Sequence, residues 1–150
     1  MIDVAPARRT VMAWLIGGVA LLAGRAPFAQ AQQRAASDAA TERRWIEAAF
    51  AMRRLAESWG DQSYGAVLVL EGVLVGEGPS QVVKLNDPDA HAEREAIRDA
   101  QTRLGRKGLD GAVLYSTSRP CRRCESVAAE AHIARMIYGA DGRDAGRPTP

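Results

Sequence analysis

His91-Ala92-Glu93 and Pro120-Cys121-Arg122-Arg123-Cys124 are the two stretches that decide how this chain is read. Together they hold one imidazole, two thiols at C-x-x-C spacing and a carboxylate two positions after the imidazole. Zn²⁺ takes nitrogen and sulfur ligands in a tetrahedron, and a catalytic site keeps three protein ligands with the fourth position left for water. His91, Cys121 and Cys124 make such a set. Glu93 then reads as the group that moves protons to and from that water, not as a fourth ligand. Each half alone has plainer readings. A C-x-x-C is commonly a redox pair, a structural zinc half-site or a disulfide, and a single helical histidine is commonly a surface or core residue. Order, spacing and the proline before Cys121 make the two halves constrain each other.

Working outward, 150 residues with 47% hydrophobic content suffice for one domain with a sizeable core. Residues 1–31 read as a targeting segment. Arg8-Arg9 is a basic start, Thr10 to Gly24 an uncharged run, and Ala29-Gln30-Ala31 an A-x-A cleavage site, the three parts of a secretory signal peptide. The run is shorter than the ~18 apolar residues of a spanning helix. Arg8-Arg9-Thr10-Val11-Met12 resembles a twin-arginine export signal, which implies a periplasmic or secreted protein. Removing Arg8, Arg9, Arg25 and Asp3 with this segment leaves equal numbers of basic and acidic residues. The mature chain therefore lacks the basic stripe of a nucleic-acid binder, and nucleic acid is not the expected partner.

Residues 32–44 are polar and Ala-rich, read as a frayed lead-in. Trp45, Ala48, Ala49, Met52, Leu55, Ala56 and Trp59 recur at helical spacing, with Thr41 as cap and Gly60 as stop. Ala66 to Leu70 and Val73 to Val75 read as a hairpin turning at Glu71-Gly72, ended by Gly76, Gly78 and Pro79. Gly76-Glu77-Gly78 is not a phosphate loop, because no Lys and no helix follow it. Residues 80–89 read as a loop, 90–104 as a helix, 112–115 as a strand, 120–133 as a helix and 136–138 as a strand. Residues 140–150, rich in Gly, Pro, Asp and Arg, read as a flexible tail. The order α-β-β-α-β-α-β places helices on both faces of a mixed sheet.

H-x-E followed by P-C-x-x-C resembles the zinc-dependent cytidine/deoxycytidylate deaminase superfamily. Gly60 to Val69 resembles the family's first helix end and first strand, and Asn86 to Glu93 with Ala131 to Gly139 is most similar to its guanine deaminase and tRNA adenosine deaminase branch. The resemblance implies a three-layer α/β/α cytidine-deaminase-like fold over residues 45–139, C-terminally shortened for want of a fifth strand and a last helix. It also implies a zinc cofactor and hydrolytic removal of an exocyclic amine from a nucleobase or nucleoside, purines such as guanine before others. A homodimer is the expected assembly. Ala92, Ser80 and Tyr64 would touch substrate, Ala92 through its backbone N–H.

This chain departs from that branch at several positions. Arg119 stands where relatives usually have Glu, Arg122-Arg123 where they often have Pro-Met, and Ser80 where a base-recognising Asn is common. Glu125 and Ser126 replace small residues after the second Cys. His132, the other histidine, reads as a surface or interface residue. Three alternatives stay open at this level: a non-catalytic zinc-binding domain, a nucleotide or tRNA deaminase, and an exported thiol–disulfide protein built on Cys121 and Cys124.

Overall fold

The computed structural model describes residues 26–150. The chain divides into Met1–Arg34 and Ala35–Pro150, and the second unit holds the sheet. The expected signal peptide lies outside the described residues except for 26–31, which belong to the first helix. That helix, α1, spans Ala26–Ser58. The lead-in expected to fray is therefore helical and Thr41 is not a cap. Ala, Gln, Arg and Glu dominate residues 29–44, all strong helix formers, with no Gly or Pro to break the run. Among the described residues no helix is long and apolar enough to cross a membrane.

Five strands follow in one sheet, β1 (Gly65–Leu70), β2 (Val73–Pro79), β3 (Val113–Ser116), β4 (Arg135–Tyr138) and β5 (Arg143–Gly146), in spatial order β2-β1-β3-β4-β5. Only β3 and β4 pair in parallel, joined across α4 (Arg122–Glu130). The β1–β2, β1–β3 and β4–β5 pairs are antiparallel. Alternation along the strands sorts two cores. Val67, Val69, Tyr115 and Ile137 pack with Trp45, Ile46 and Ala49 of α1. Ala66, Leu68, Leu114 and Met136 pack with Ala96, Ile97 and Ala100 of α3 (Ala92–Leu104) and Ala128 of α4. The three-layer mixed α/β/α fold is present.

Three details correct the sequence reading. The segment expected as a flexible tail forms β5, and beyond it Thr149 donates from N–H and hydroxyl to the Glu125 carboxylate at 3.3 and 3.1 Å. A four-residue run with Gly at its end carried no strand signal, but pairing with β4 satisfies its backbone. The loop over 80–89 contains a single helical turn, α2 (Val82–Leu85). Third, β2 does not stop at Gly76 but runs to Pro79. A Cβ on Gly76 or Gly78 would collide with the α3 backbone around Ala96 and Ala92. These glycines are strand residues that let a helix lie directly on the sheet, with Ala92, Ala96 and Ala100 fully buried on the facing side.

Candidate metal and catalytic site

The ligand candidates sit at helix starts. His91 is the N-cap of α3 and Cys121 the N-cap of α4, both with extended backbone (φ −67°, ψ 150° and φ −73°, ψ 163°). Cys124 lies in the first turn of α4, and its N–H donates to Cys121 Sγ at 3.4 Å. Pro120 is buried at the junction, where its fixed φ and missing N–H cost nothing. Asp89 braces the two helix starts against each other, pairing with Arg94 at 2.7 Å and Arg123 at 2.8 Å.

His91 Nδ1 lies 3.7 Å from Cys121 Sγ and 3.4 Å from Cys124 Sγ, and the two sulfurs are 3.2 Å apart. A tetrahedral Zn²⁺ with ordinary bond lengths asks for N···S edges of about 3.6 Å and an S···S edge of about 3.8 Å. Both N···S edges fit, and the S···S edge needs to open by about half an ångström, within reach of one Cys121 χ rotation at an exposed position. No other group of three His, Cys, Asp or Glu donors converges among the described residues. His132 pairs instead with Asp110 at 3.2 Å, on the surface.

Glu93 is not part of that donor set. Its side chain is buried, 5% exposed, and Oε1 accepts a hydrogen bond of 2.8 Å from the Ser116 hydroxyl at the end of β3. Burial pushes the Cys124 thiol up, and the Glu93 carboxylate raises it further. Cys124 is therefore the poorer nucleophile of the two sulfurs, and the exposed Cys121 is the one a reagent reaches. A divalent cation reverses the balance by supplying the missing positive charge.

A cleft of about 290 Å³ opens beside these groups, lined by Gln62, Tyr64, His91, Ala92, Glu93, Ser118, Arg119 and Cys121. It lies at the C-terminal end of β3, next to the start of β1, where Thr117 N–H donates to Gly65 O at 2.9 Å. Ala92 and Tyr64 line it, Tyr64 with 45% of its surface exposed. Ser80 does not. It is fully buried, its hydroxyl donates to Asp61 Oδ1 at 3.0 Å, and its N–H to Tyr64 O at 3.1 Å. The short side chain turns inward to the only acceptor it reaches, so the expectation that it touches substrate is corrected.

Sequence reasoning passed over Gln62, Ser118, Ser116 and Asp61. Asp61 accepts from Gln62 N–H (2.7 Å), Lys84 N–H (2.8 Å), Val83 N–H and the Ser80 hydroxyl (both 3.0 Å), tying α2 to the cleft wall. Ser116-Thr117-Ser118 directly after a strand was the available signal, because ligands gather beyond the carboxyl ends of strands in α/β sheets.

A three-layer α/β/α domain whose two helix N-termini converge on His and Cys donors beside a buried carboxylate defines a class of zinc protein. Residues 39–140 match the cytidine and deoxycytidylate deaminase zinc-binding region, and the chain belongs to that family. It is 40% identical over 96 residues to a tRNA-specific adenosine deaminase of Agrobacterium fabrum, covering 64% of this chain and 63% of that one. It is 40% identical over 82 residues to the guanine deaminase of Bacillus subtilis, covering 55% of this chain and 53% of that one. The chain thus spans less than two thirds of either relative. Among solved structures, one from a study of A-to-I editing by tRNA:A34 deaminases superposes with a TM-score of 0.62 at 38% identity, covering 64% of this chain and 70% of that one. The Bacillus subtilis guanine deaminase superposes at 0.61 and 33%, covering 63% of this chain and 61% of that one.

Proposed function

We propose that this protein is a zinc-dependent hydrolytic deaminase that removes an exocyclic amine from a nucleobase, free or as a nucleoside. The observation that carries the reading is a buried carboxylate, Glu93, that stands beside a complete His/Cys/Cys donor set without belonging to it. A structural zinc site has no use for such a group. His91 Nδ1, Cys121 Sγ and Cys124 Sγ would hold the metal, whose chemistry is to make water a nucleophile near neutral pH. Glu93 takes one proton from the attacking water and passes it to a ring nitrogen. It then moves the second proton to the departing amine, so that water and the aminated ring become the oxo ring and ammonia. Ala92 opens α3, where its backbone N–H has no helical acceptor and is free to hold the ring's polar edge. The Tyr64 ring offers a face for the base.

Relatives named for guanine and for tRNA adenosine support a purine. A single-base cleft and a chain without a basic stripe favour a small molecule. Export and a homodimer belong to the same reading, checked by cell fractionation and by sedimentation of the processed protein. An ammonia-release screen of zinc-loaded protein on guanine, adenine, cytosine and their nucleosides tests the activity. Stoichiometric zinc with no release from any of them, or from a tRNA stem-loop, overturns it.

One observation favours a second substrate. Arg119 lines the cleft, and among the described residues it has no carboxylate partner, whereas Arg94 and Arg123 are both engaged by Asp89. A guanidinium there suits a phosphate. Nucleoside monophosphates belong in the screen for that reason. A preference for them that Arg119→Ala abolishes selects this reading over the free base.

A further inference from the structure

Ser116 is the last residue of β3, in register with Ala66 of β1 on one side and Tyr138 of β4 on the other. Its carbonyl accepts Gly139 N–H at 2.9 Å, so its backbone is held from both neighbouring strands. Its side chain is 3% exposed and its hydroxyl donates to Glu93 Oε1 at 2.8 Å. Glu93 comes from a different layer, the first turn of α3, twenty-three residues earlier in the chain. A polar side chain buried to this extent needs a hydrogen-bond partner, and a Glu side chain has three rotatable bonds with which to miss its target.

We propose that Ser116 is the positioning residue for Glu93. It occupies one carboxylate oxygen so that the other is presented to the cleft for both proton transfers. The inference rests on the deaminase reading for its catalytic consequence, but the contact itself does not depend on it. The geometry favours a fixed role. A strand end held by two neighbours is more rigid than a loop, and the hydroxyl is aimed from the sheet while the metal donors are aimed from the helices. The proton shuttle and the metal are thus referenced to different layers, and the 2.8 Å bond is what registers one against the other. A misplacement of the order of 1 Å at a reacting group costs roughly 10²-fold in rate.

Three measurements on zinc-loaded Ser116→Ala and Ser116→Thr test this. Ser116→Ala is expected to bind one zinc per chain as the parent does, to lose about 10- to 100-fold in kcat, and to keep KM within about threefold. Ser116→Thr, which retains a hydroxyl on a residue suited to a strand, is expected to recover most of the rate. A purely structural serine would lower the melting temperature of Ser116→Ala without moving kcat, and that result overturns the proposal. So does a rate loss that Ser116→Thr does not repair. A thermal double-mutant cycle with Glu93→Ala serves if the parent turns over nothing in the screen. Strongly non-additive changes in melting temperature keep Ser116 as the holder of Glu93 while the deaminase reading falls, and additive changes remove Ser116 from its role.

Discussion

Replacing Gly78 by Ala should dismantle the metal site without touching any residue in it. Gly78 lies on β2 against the first turn of α3. A Cβ there would stand inside van der Waals contact of the Ala92 carbonyl oxygen and the Ala96 nitrogen, and 2.9 Å from Ala96 Cβ. Two of the three obstacles are backbone, so no side chain can swing away. Relief requires α3 to move off the sheet by about 1.5–2 Å to restore ordinary contact distances of about 3.5–4.0 Å. The same turn carries His91 and Glu93. Metal sites tolerate ligand displacements of about 0.2 Å, so the His91 donor would leave the tetrahedron and Glu93 would part from Ser116. Overpacking of this kind costs about 3 kcal/mol, or roughly 6–12 °C in melting temperature for a chain of this size.

The control is Gly105→Ala at the α3 C-cap. There φ is 63° and a Cβ meets nothing within 4 Å. Left-handed strain alone costs about 1–2 kcal/mol, with no reason for α3 to shift. Calorimetry and elemental analysis on both variants decide. Gly105→Ala should lose stability and keep its zinc, and Gly78→Ala should lose both. Full zinc occupancy in Gly78→Ala, with a melting loss no larger than the control's, would refute the close-packing argument.

Glu93→Ala should keep one zinc per chain and lose about 10²–10⁴-fold in deamination; loss of the metal would make Glu93 a ligand. Burial alone would raise the Asp61 pKa, but donors from Lys84, Gln62, Ser80 and Val83 outweigh it and hold it below the usual carboxylate range. A lowered folded pKa stabilises above the unfolded value and is lost as pH falls through the folded one. The melting difference between parent and Asp61→Ala should therefore be full at pH 7 and shrink below about pH 4. Glu95 has the opposite sign. Burial raises its pKa, although Arg98 at 2.8 Å and Gln81 at 3.1 Å partly offset it. Its favourable contribution is present below the unfolded pKa and is lost as pH rises through the folded one. Glu95→Gln should accordingly melt higher than the parent at neutral pH and no higher near pH 4, measured as paired melting curves.

The metal donors and their helices were legible because zinc chemistry restricts residue type and because Asp89 and Pro120 stand just before the two helix starts. The strands of the central sheet were legible for a similar reason: Val67 to Val69 and Leu114 to Tyr115 are buried on both faces and read as apolar runs. What escaped depends on tertiary contact. Gly76 and Gly78 have the composition of a turn, and only the α3 backbone above them explains why they extend a strand. Nothing local marks residues 143–146 as β5, since the strand exists by pairing with β4. Ser80 was assigned by position in a pattern, and its direction is set by Asp61, nineteen residues away. Trp59 fitted the helical stripe yet lies exposed, with the Lys84 ammonium 3.7 Å from its ring.

The same dependence on contact separates the chemistry of the two cysteines from that of a redox pair. Spacing alone allows either. In the fold, Cys124 is fully buried, faces the charge of Glu93 and shares a 3.2 Å approach with Cys121. Burial and Glu93 disfavour a thiolate at Cys124, whereas the exposed Cys121 sulfur accepts the Cys124 N–H. What a redox pair leaves without a role is the His91 imidazole within 3.7 Å of both sulfurs and the buried carboxylate beside them. A cation held by the two sulfurs and the His91 imidazole would neutralise the thiolates and offset the adjacent carboxylate. Glu93 is then the one negative group at the site that the metal does not consume. It lines the cleft with one oxygen already committed to Ser116, and a proton carrier in that position is what hydrolysis of an amine requires.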